Sequence, residues 1–143
     1  MRSILGAAIE EEADVTLVDM EAGLEHLSRS GGTLAYADVL LVIMEPSRKS
    51  ILTAGRTIVL AAELGIPRVY GVGNKAILPD DAEFFRSVCA EYDVPLAGIV
   101  PRDADVAEAD RQGTILAAGR GEPVREAVAD IIRYVDEAMA VPA

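Results

Sequence analysis

An open parallel α/β sheet with helices on both faces is the fold class this sequence predicts, and three observations carry it. Four short aliphatic runs, VTLVD (15–19), VLLVIME (39–45), RVYGVGN (68–74) and PLAGIVP (95–101), each end in a polar or turn residue. Their starts at residues 15, 39, 68 and 95 leave room for one crossover helix between successive strands, the βαβ pattern of a parallel sheet. The runs do not alternate apolar with polar residues as hairpin strands do, so both of their faces should be covered. With 51% hydrophobic residues but only 4% aromatic and no Trp, the core must be built from Ala, Val, Ile and Leu. The 143 residues fit one domain, so residues 1–143 are read as a single three-layer α/β unit of about four strands.

The elements follow in order. MRSILGAAIEEEA (1–13) reads as a helix leading into the first strand, VTLVD. SRSGGTLAYAD (28–38), rich in Gly and Ser, reads as a loop or weakly helical connector before VLLVIME. SRKSILTAGRTIVLAAELG (47–65) is the clearest helix: Ser47 can cap it, Ile51, Leu52, Ile58, Val59 and Ala62 recur at helical spacing with Ala54 and Gly55 between them, and Gly65 stops it. A second helix runs from Asp80 or Asp81 to Tyr92, with Phe84, Phe85, Val88 and Cys89 inward. A third, EPVREAVADIIRYVDEAM (122–139), puts Val124, Val128, Ile131, Ile132 and Val135 on one stripe.

Composition also excludes functions. A net charge of -11, from 24 acidic and 13 basic residues, repels a phosphate backbone, and no basic stripe offsets it, which argues against nucleic acid. The longest apolar run, Val39 to Met44, is far short of the ~20 residues a membrane helix needs, so no membrane span is expected. The N-terminus lacks the shape of a signal peptide, and a cytoplasmic location is expected. The single cysteine, Cys89, permits no internal disulfide and no metal-ligand cluster, and it reads as a buried structural thiol. No metal site within one chain is expected.

In an open parallel sheet, function collects beyond the carboxyl ends of the strands. Four segments then share one rim: DMEAG, EPS, GNK and PRDADV. Asp19, closing an apolar strand, can hold a magnesium ion through water, and Gly23 can bring a backbone N–H close to a terminal phosphate. Asn74 can hydrogen-bond an adenine edge while the Lys75 stem covers the ring. Each also has a plainer reading, Asp19 as strand punctuation and Asn74 as a turn former.

Taken together, DMEAGLEHLSR, VIMEPSRKSILTAGRTIVLAAELGI, VYGVGNK and IVPRDADVAEADRQG resemble the MinD/ParA-like P-loop ATPases. Within that group they are most similar to the CooC type, accessory ATPases that load nickel into carbon monoxide dehydrogenase. The resemblance covers the chain from Met1 to about Gly113 and implies a P-loop NTPase (Rossmann-like) fold with ATP and Mg as cofactors. It makes Asp19 the metal-side acid and Glu21, Ala22 and Gly23 part of the segment that senses the γ-phosphate. It assigns adenine recognition to Asn74 and Lys75, with Pro101, Arg102 and Asp103 lining the base from the other side. Glu25, His26 and Arg29 would fall near a dimer face, although a lone His at a rim reads first as a surface or packing residue. The implied partners are a second copy of the chain, a metalloenzyme client, or a separate ATPase half.

Two family features are missing. No GxxxxGK[ST] phosphate loop occurs, and neither lysine of the chain can replace it, since Lys49 follows Arg48 rather than a glycine loop and Lys75 ends the turn assigned to the base. A Cys-x-Cys pair, expected shortly before the stretch that MRSILGAAIEEEAD matches, is also absent. The match is therefore to the portion after both motifs, a truncated form of the fold. Hydrogen bonds to charged groups are worth about 1.5 to 3 kcal/mol each, so losing four or more removes most of a micromolar affinity, about 8 kcal/mol. The expectation is a nickel-insertion accessory ATPase by relationship that is inactive as an ATPase on its own; the alternative is a non-enzymatic partner or oligomerisation module. A receiver-like signalling domain is excluded, because Asn74 stands where its phosphoacceptor Asp would be. For the sheet, the expectation is closure of VTLVD onto VLLVIME, with strand order 1-2-3-4, plus self-association.

Overall fold

The computed structural model describes residues 15–20 and 36–142. Three parallel strands, β1 (Leu40–Met44), β2 (Val69–Ala76) and β3 (Leu96–Pro101), form one sheet in the order β1-β2-β3. Helix α1 (Arg48–Glu63) follows β1 and α2 (Asp80–Glu91) follows β2, while α3 (Ala104–Gln112) and α4 (Glu122–Met139) follow β3. The parallel α/β class read from the sequence is the one observed. The β1–β2 register runs from Leu40 opposite Val69 to Met44 opposite Gly73. The β2–β3 ladder starts at Gly71 opposite Leu96 and ends at Ala76 opposite Pro101, with irregular steps between.

The pleat sends alternate residues to opposite faces. On one face Val42 and Met44 meet Ile51 and Ala54 of α1 and Phe85, Val88 and Cys89 of α2. On the other, Leu41, Tyr70, Val72, Ala97 and Val100 meet Ile131 and Val135 of α4. Tyr134 adds an edge-on contact to Tyr70, with ring centroids 5.1 Å apart. Burial pushes the Cys89 thiol pKa up, as expected of a packing residue.

The helices stop and start where the sequence marks them. The Ser47 side chain accepts from Ser50 N–H at 3.2 Å, capping α1, and Gly65 follows its end at a φ of +82°. The predicted 122–139 helix is α4 residue for residue. Between α3 and α4 the chain has no helix or strand, and Arg125 holds this loop by donating to the carbonyls of Arg120, Leu116 and Ala117. No helix among the described residues is long and apolar enough to cross a membrane.

Several expectations fail. VTLVD is not a strand: residues 15–20 lie outside the sheet, with Val15 84% and Leu17 91% exposed. An apolar run supplies propensity, but a strand exists only through its ladder to a neighbour. The expected closure onto β1 is likewise absent, and among the described residues no strand pairs with the edge of β1 away from β2. Leu40, Leu41 and Val42 are half-buried and Ile43 is 59% exposed, so water reaches that part of the edge and an unpaired backbone group there costs little. Leu52 and Val59 of α1, and Val128 and Ile132 of α4, point to solvent rather than to the core, because one helix face is wider than the strip of sheet beneath it. Helix α3 is not among the elements expected from the sequence, which marks PRDADV only as a rim segment. The expected helix at 1–13, and Glu25, His26 and Arg29, lie outside the described residues.

Two strand glycines bring the layers into direct contact. A Cβ at Gly73 would stand 2.8 Å from the Phe85 ring, and one at Gly98 would stand 2.5 Å from Ile131 Cγ1. The helix side chains occupy the space that a strand side chain would need. Gly98→Ala should therefore overpack the α4 face and cost about 1 to 3 kcal/mol in urea unfolding. Combined with Ile131→Ala, it should cost less than the sum of the two single changes, since the double variant removes the clash; additive losses would show that the contact is not the cause.

Candidate functional site

Beyond the carboxyl ends of β2 and β3, backbone and side-chain bonds hold a concave rim. Arg102 N–H donates to the Ala76 carbonyl at 2.8 Å, locking the two strand ends together. The turn after β2 is clasped locally: Ile77 N–H donates to Asp81 Oδ2 at 2.7 Å, and Asp81 N–H donates to the Ile77 carbonyl at 3.1 Å. Asp103 accepts from the N–H groups of Asp105 and Val106 at 2.8 and 3.1 Å, which starts α3 on the far side of the hollow. Pro123, in the first turn of α4, closes another side.

The hollow has a volume of about 600 Å³. Ile77, Leu78, Pro101, Ala104, Ala107 and Pro123 give it an apolar lining, and Arg102 and Arg111 contribute its two guanidinium groups. Arg111 is paired with Glu108 at 3.2 Å. This size and lining suit a flat heteroaromatic group with a few polar contacts at its edge.

Asn74 and Lys75 stand next to it, immediately before the lining residue Ala76. Lys75 adopts a φ of +57°, in the left-handed region that costs a non-glycine residue about 1 to 2 kcal/mol. Asn74 Oδ1 accepts from Lys75 N–H at 2.9 Å and so supports that conformation, which leaves the Asn74 amide nitrogen as a donor. The Lys75 ammonium donates to Glu45 Oε1 at 2.8 Å, joining the ends of β1 and β2. The hydrogen bond from Lys75, and then its charge, hold the Glu45 carboxyl below its ordinary pKa.

Of the sequence-predicted site residues, Pro101, Arg102 and Asp103 line the hollow, while Asn74 and Lys75 precede the lining residue Ala76 in β2 and do not line it themselves. Asp103, however, spends its carboxylate oxygen on the α3 cap. Asp19 is exposed and does not line the hollow, and Glu21, Ala22 and Gly23 lie outside the described residues. Among the described residues no group of three or more His, Cys, Asp or Glu side chains could hold a metal. Sequence reasoning missed Ile77, Leu78, Ala107, Arg111 and Pro123. The signal for α3 was present, since Asp103 is a good cap residue and Gly113 a good stop, as its φ of +63° confirms.

The chain resembles known proteins over most of its length. It is 34% identical over 113 residues to the carbon monoxide dehydrogenase accessory protein CooC of Rhodospirillum rubrum, an overlap that is 79% of this chain and 41% of that protein. Two uncharacterized ATP-binding proteins of Methanocaldococcus jannaschii are 33% identical over 114 residues and 35% identical over 107, covering 79% and 73% of this chain and 43% and 41% of theirs. The chain thus spans less than half the length of the curated relatives it matches. No family model matches it. Among solved structures, the MinD cell division protein of Aquifex aeolicus superposes with a TM-score of 0.61 at 17% identity, over 73% of this chain and 46% of that one. The MinC:MinD complex of the same organism gives 0.58 at 18%, over 78% and 47%. At these identities the structural likeness speaks for the fold. The resemblance read from the sequence is borne out, with the match confined to part of each relative.

The ion pair makes a titration prediction. A carboxyl whose folded pKa is depressed contributes stability that is present above its ordinary pKa and fades as pH falls through the lowered value. Lys75→Met should therefore raise the Glu45 pKa toward its ordinary value, read by carboxyl-carbon NMR. An unchanged Glu45 titration would mean that the two groups are not paired in solution.

Proposed function

Starting from a chain homologous to CooC and to ATP-binding proteins over its matched portion, and sharing its fold with MinD, we propose that the hollow between β2, β3 and α3 receives the base of an adenine nucleotide. The observation that carries this reading is the apolar hollow at the carboxyl ends of parallel strands, with Asn74 two residues before its lining residue Ala76, in a chain similar to ATP-binding proteins. The base fits the residues present. The triphosphate does not: the sequence contains no phosphate loop to supply the backbone donors it needs. On this reading magnesium would be met by the exposed Asp19 carboxylate, which needs phosphate oxygens to complete a coordination shell.

On this reading Asn74 donates to the base edge, the Lys75 stem covers the ring, and Pro101 and Arg102 lie against its other side. Asp103 shapes the wall by starting α3. Asp19, with Glu21, Ala22 and Gly23, belongs to the metal and γ-phosphate side, which is complete only with the cradle. The chain alone hydrolyses little or no ATP. Its working context is that of a CooC-like, ATP-dependent nickel-insertion accessory protein for carbon monoxide dehydrogenase in the cytoplasm, with the phosphate-binding half supplied by further polypeptide. A second reading, a non-enzymatic oligomerisation module, is favoured by the edge of β1 that no strand covers among the described residues and by the exposed Ile43. Light scattering with and without Mg-ATP separates them: a dimer that depends on nucleotide supports the first, and a fixed oligomer supports the second.

Adenosine added to ¹⁵N-labelled protein should shift the amides around Ala76, Leu78 and Arg102. Ala107→Trp, which fills the hollow, should weaken binding by more than about tenfold, the effect of 1.4 kcal/mol. Shifts confined to other regions would overturn the assignment of the base. Calorimetry with Mg-ATP should give an affinity weaker than about 10 μM, near 7 kcal/mol; tighter binding would mean that the triphosphate is held after all.

A further inference from the structure

The sheet order β1-β2-β3 puts the hollow at the ends of β2 and β3 and the Glu45–Lys75 pair at the ends of β1 and β2, side by side on one rim. A ligand whose base fills the hollow and whose remainder runs toward β1 meets Lys75 first. We propose that Glu45 is a built-in competitor for the Lys75 ammonium, so that this ion pair sets how strongly the site favours phosphorylated over unphosphorylated nucleosides. The inference rests on the hollow holding the base.

Both partners are fixed at the backbone and exposed at the tip. Lys75 N–H is held by Asn74 Oδ1 at 2.9 Å, and Lys75 directly precedes Ala76, which lines the hollow. Glu45 is tied to α1, its N–H donating to Ser50 Oγ at 3.0 Å and its carbonyl accepting from Ser47 N–H at 2.7 Å. Yet both side chains are 63% exposed, and an exposed pair of this kind is weak enough to exchange partners. A phosphate monoester brings a charge of about -1.5 to -2 and three acceptor oxygens, against the single charge of a carboxylate, so it can take the ammonium from Glu45. Glu45 also opposes the anion directly, because its own charge stays at the ends of β1 and β2 once Lys75 leaves it. The next cation along, Arg48, is already committed to both oxygens of Glu91 at 2.9 and 3.1 Å. On the opposite side Arg102 lines the hollow, and a phosphate running that way would ignore Glu45 altogether.

The test compares adenosine with AMP, at low salt, by ¹⁵N-amide titration of the full chain. Glu45→Gln should leave the adenosine affinity unchanged and raise that for AMP by about 2- to 5-fold, the range of an exposed ion pair. Lys75→Met should remove the preference for AMP, and Glu45→Gln added to it should restore nothing. An AMP-to-adenosine ratio that does not respond to Glu45→Gln overturns the inference while leaving the base site standing. Failure of adenosine to bind the unaltered protein overturns the base site, and the inference with it. Thermal unfolding midpoints of the variants separate either result from loss of fold.

Discussion

Phe85 lies where a side chain at position 73 would be, and Ile131 lies where one at position 98 would be. These two contacts, one on each face, set the distance between the sheet and its helix layers. Close packing of this kind gains dispersion contacts and leaves no void for water. The same contacts place the rim. Ile131 pins α4 against β3, and about two turns earlier in that helix Pro123 lines the hollow. Phe85 pins α2 against β2, and the turn that precedes α2 carries Ile77 and Leu78.

Electrostatics then decides what such a hollow can hold. The chain carries a charge of -11, and several of the cations near the strand ends are already paired: Lys75 with Glu45, Arg48 with Glu91, and Arg111 with Glu108. A flat, uncharged base asks only for apolar walls and one or two polar contacts. A triphosphate asks for concentrated positive potential, and backbone donors in a glycine-rich loop are the usual means of supplying it.

The loop between α3 and α4 illustrates how irregular chain is ordered beside such a site. Arg125 takes three carbonyls from it, and the Asp105 carboxylate accepts from Gly121 N–H at 3.2 Å. A planar guanidinium can do this because its donors diverge in one plane, whereas an ammonium would act as a single point charge. The wall of the hollow formed by α3 and Pro123 is thereby tied to the start of α4.

The sequence by itself determined the parallel α/β class, three of the four aliphatic runs as strands, and the helices 48–63, 80–91 and 122–139, because these depend on local periodicity, caps and stops. It also marked Asn74, Lys75 and Pro101 to Asp103 as rim residues, since strand ends in a parallel sheet all face the same way. Only the tertiary structure decided that VTLVD stays out of the sheet, because pairing depends on a neighbour and not on the run's own residues. It alone decided that Leu52, Val59, Val128 and Ile132 face solvent, because which part of an apolar stripe is covered depends on the width of the sheet beneath. And it alone joined Glu45 to Lys75, residues 30 apart in the chain, because their meeting follows from β1 and β2 lying side by side in register.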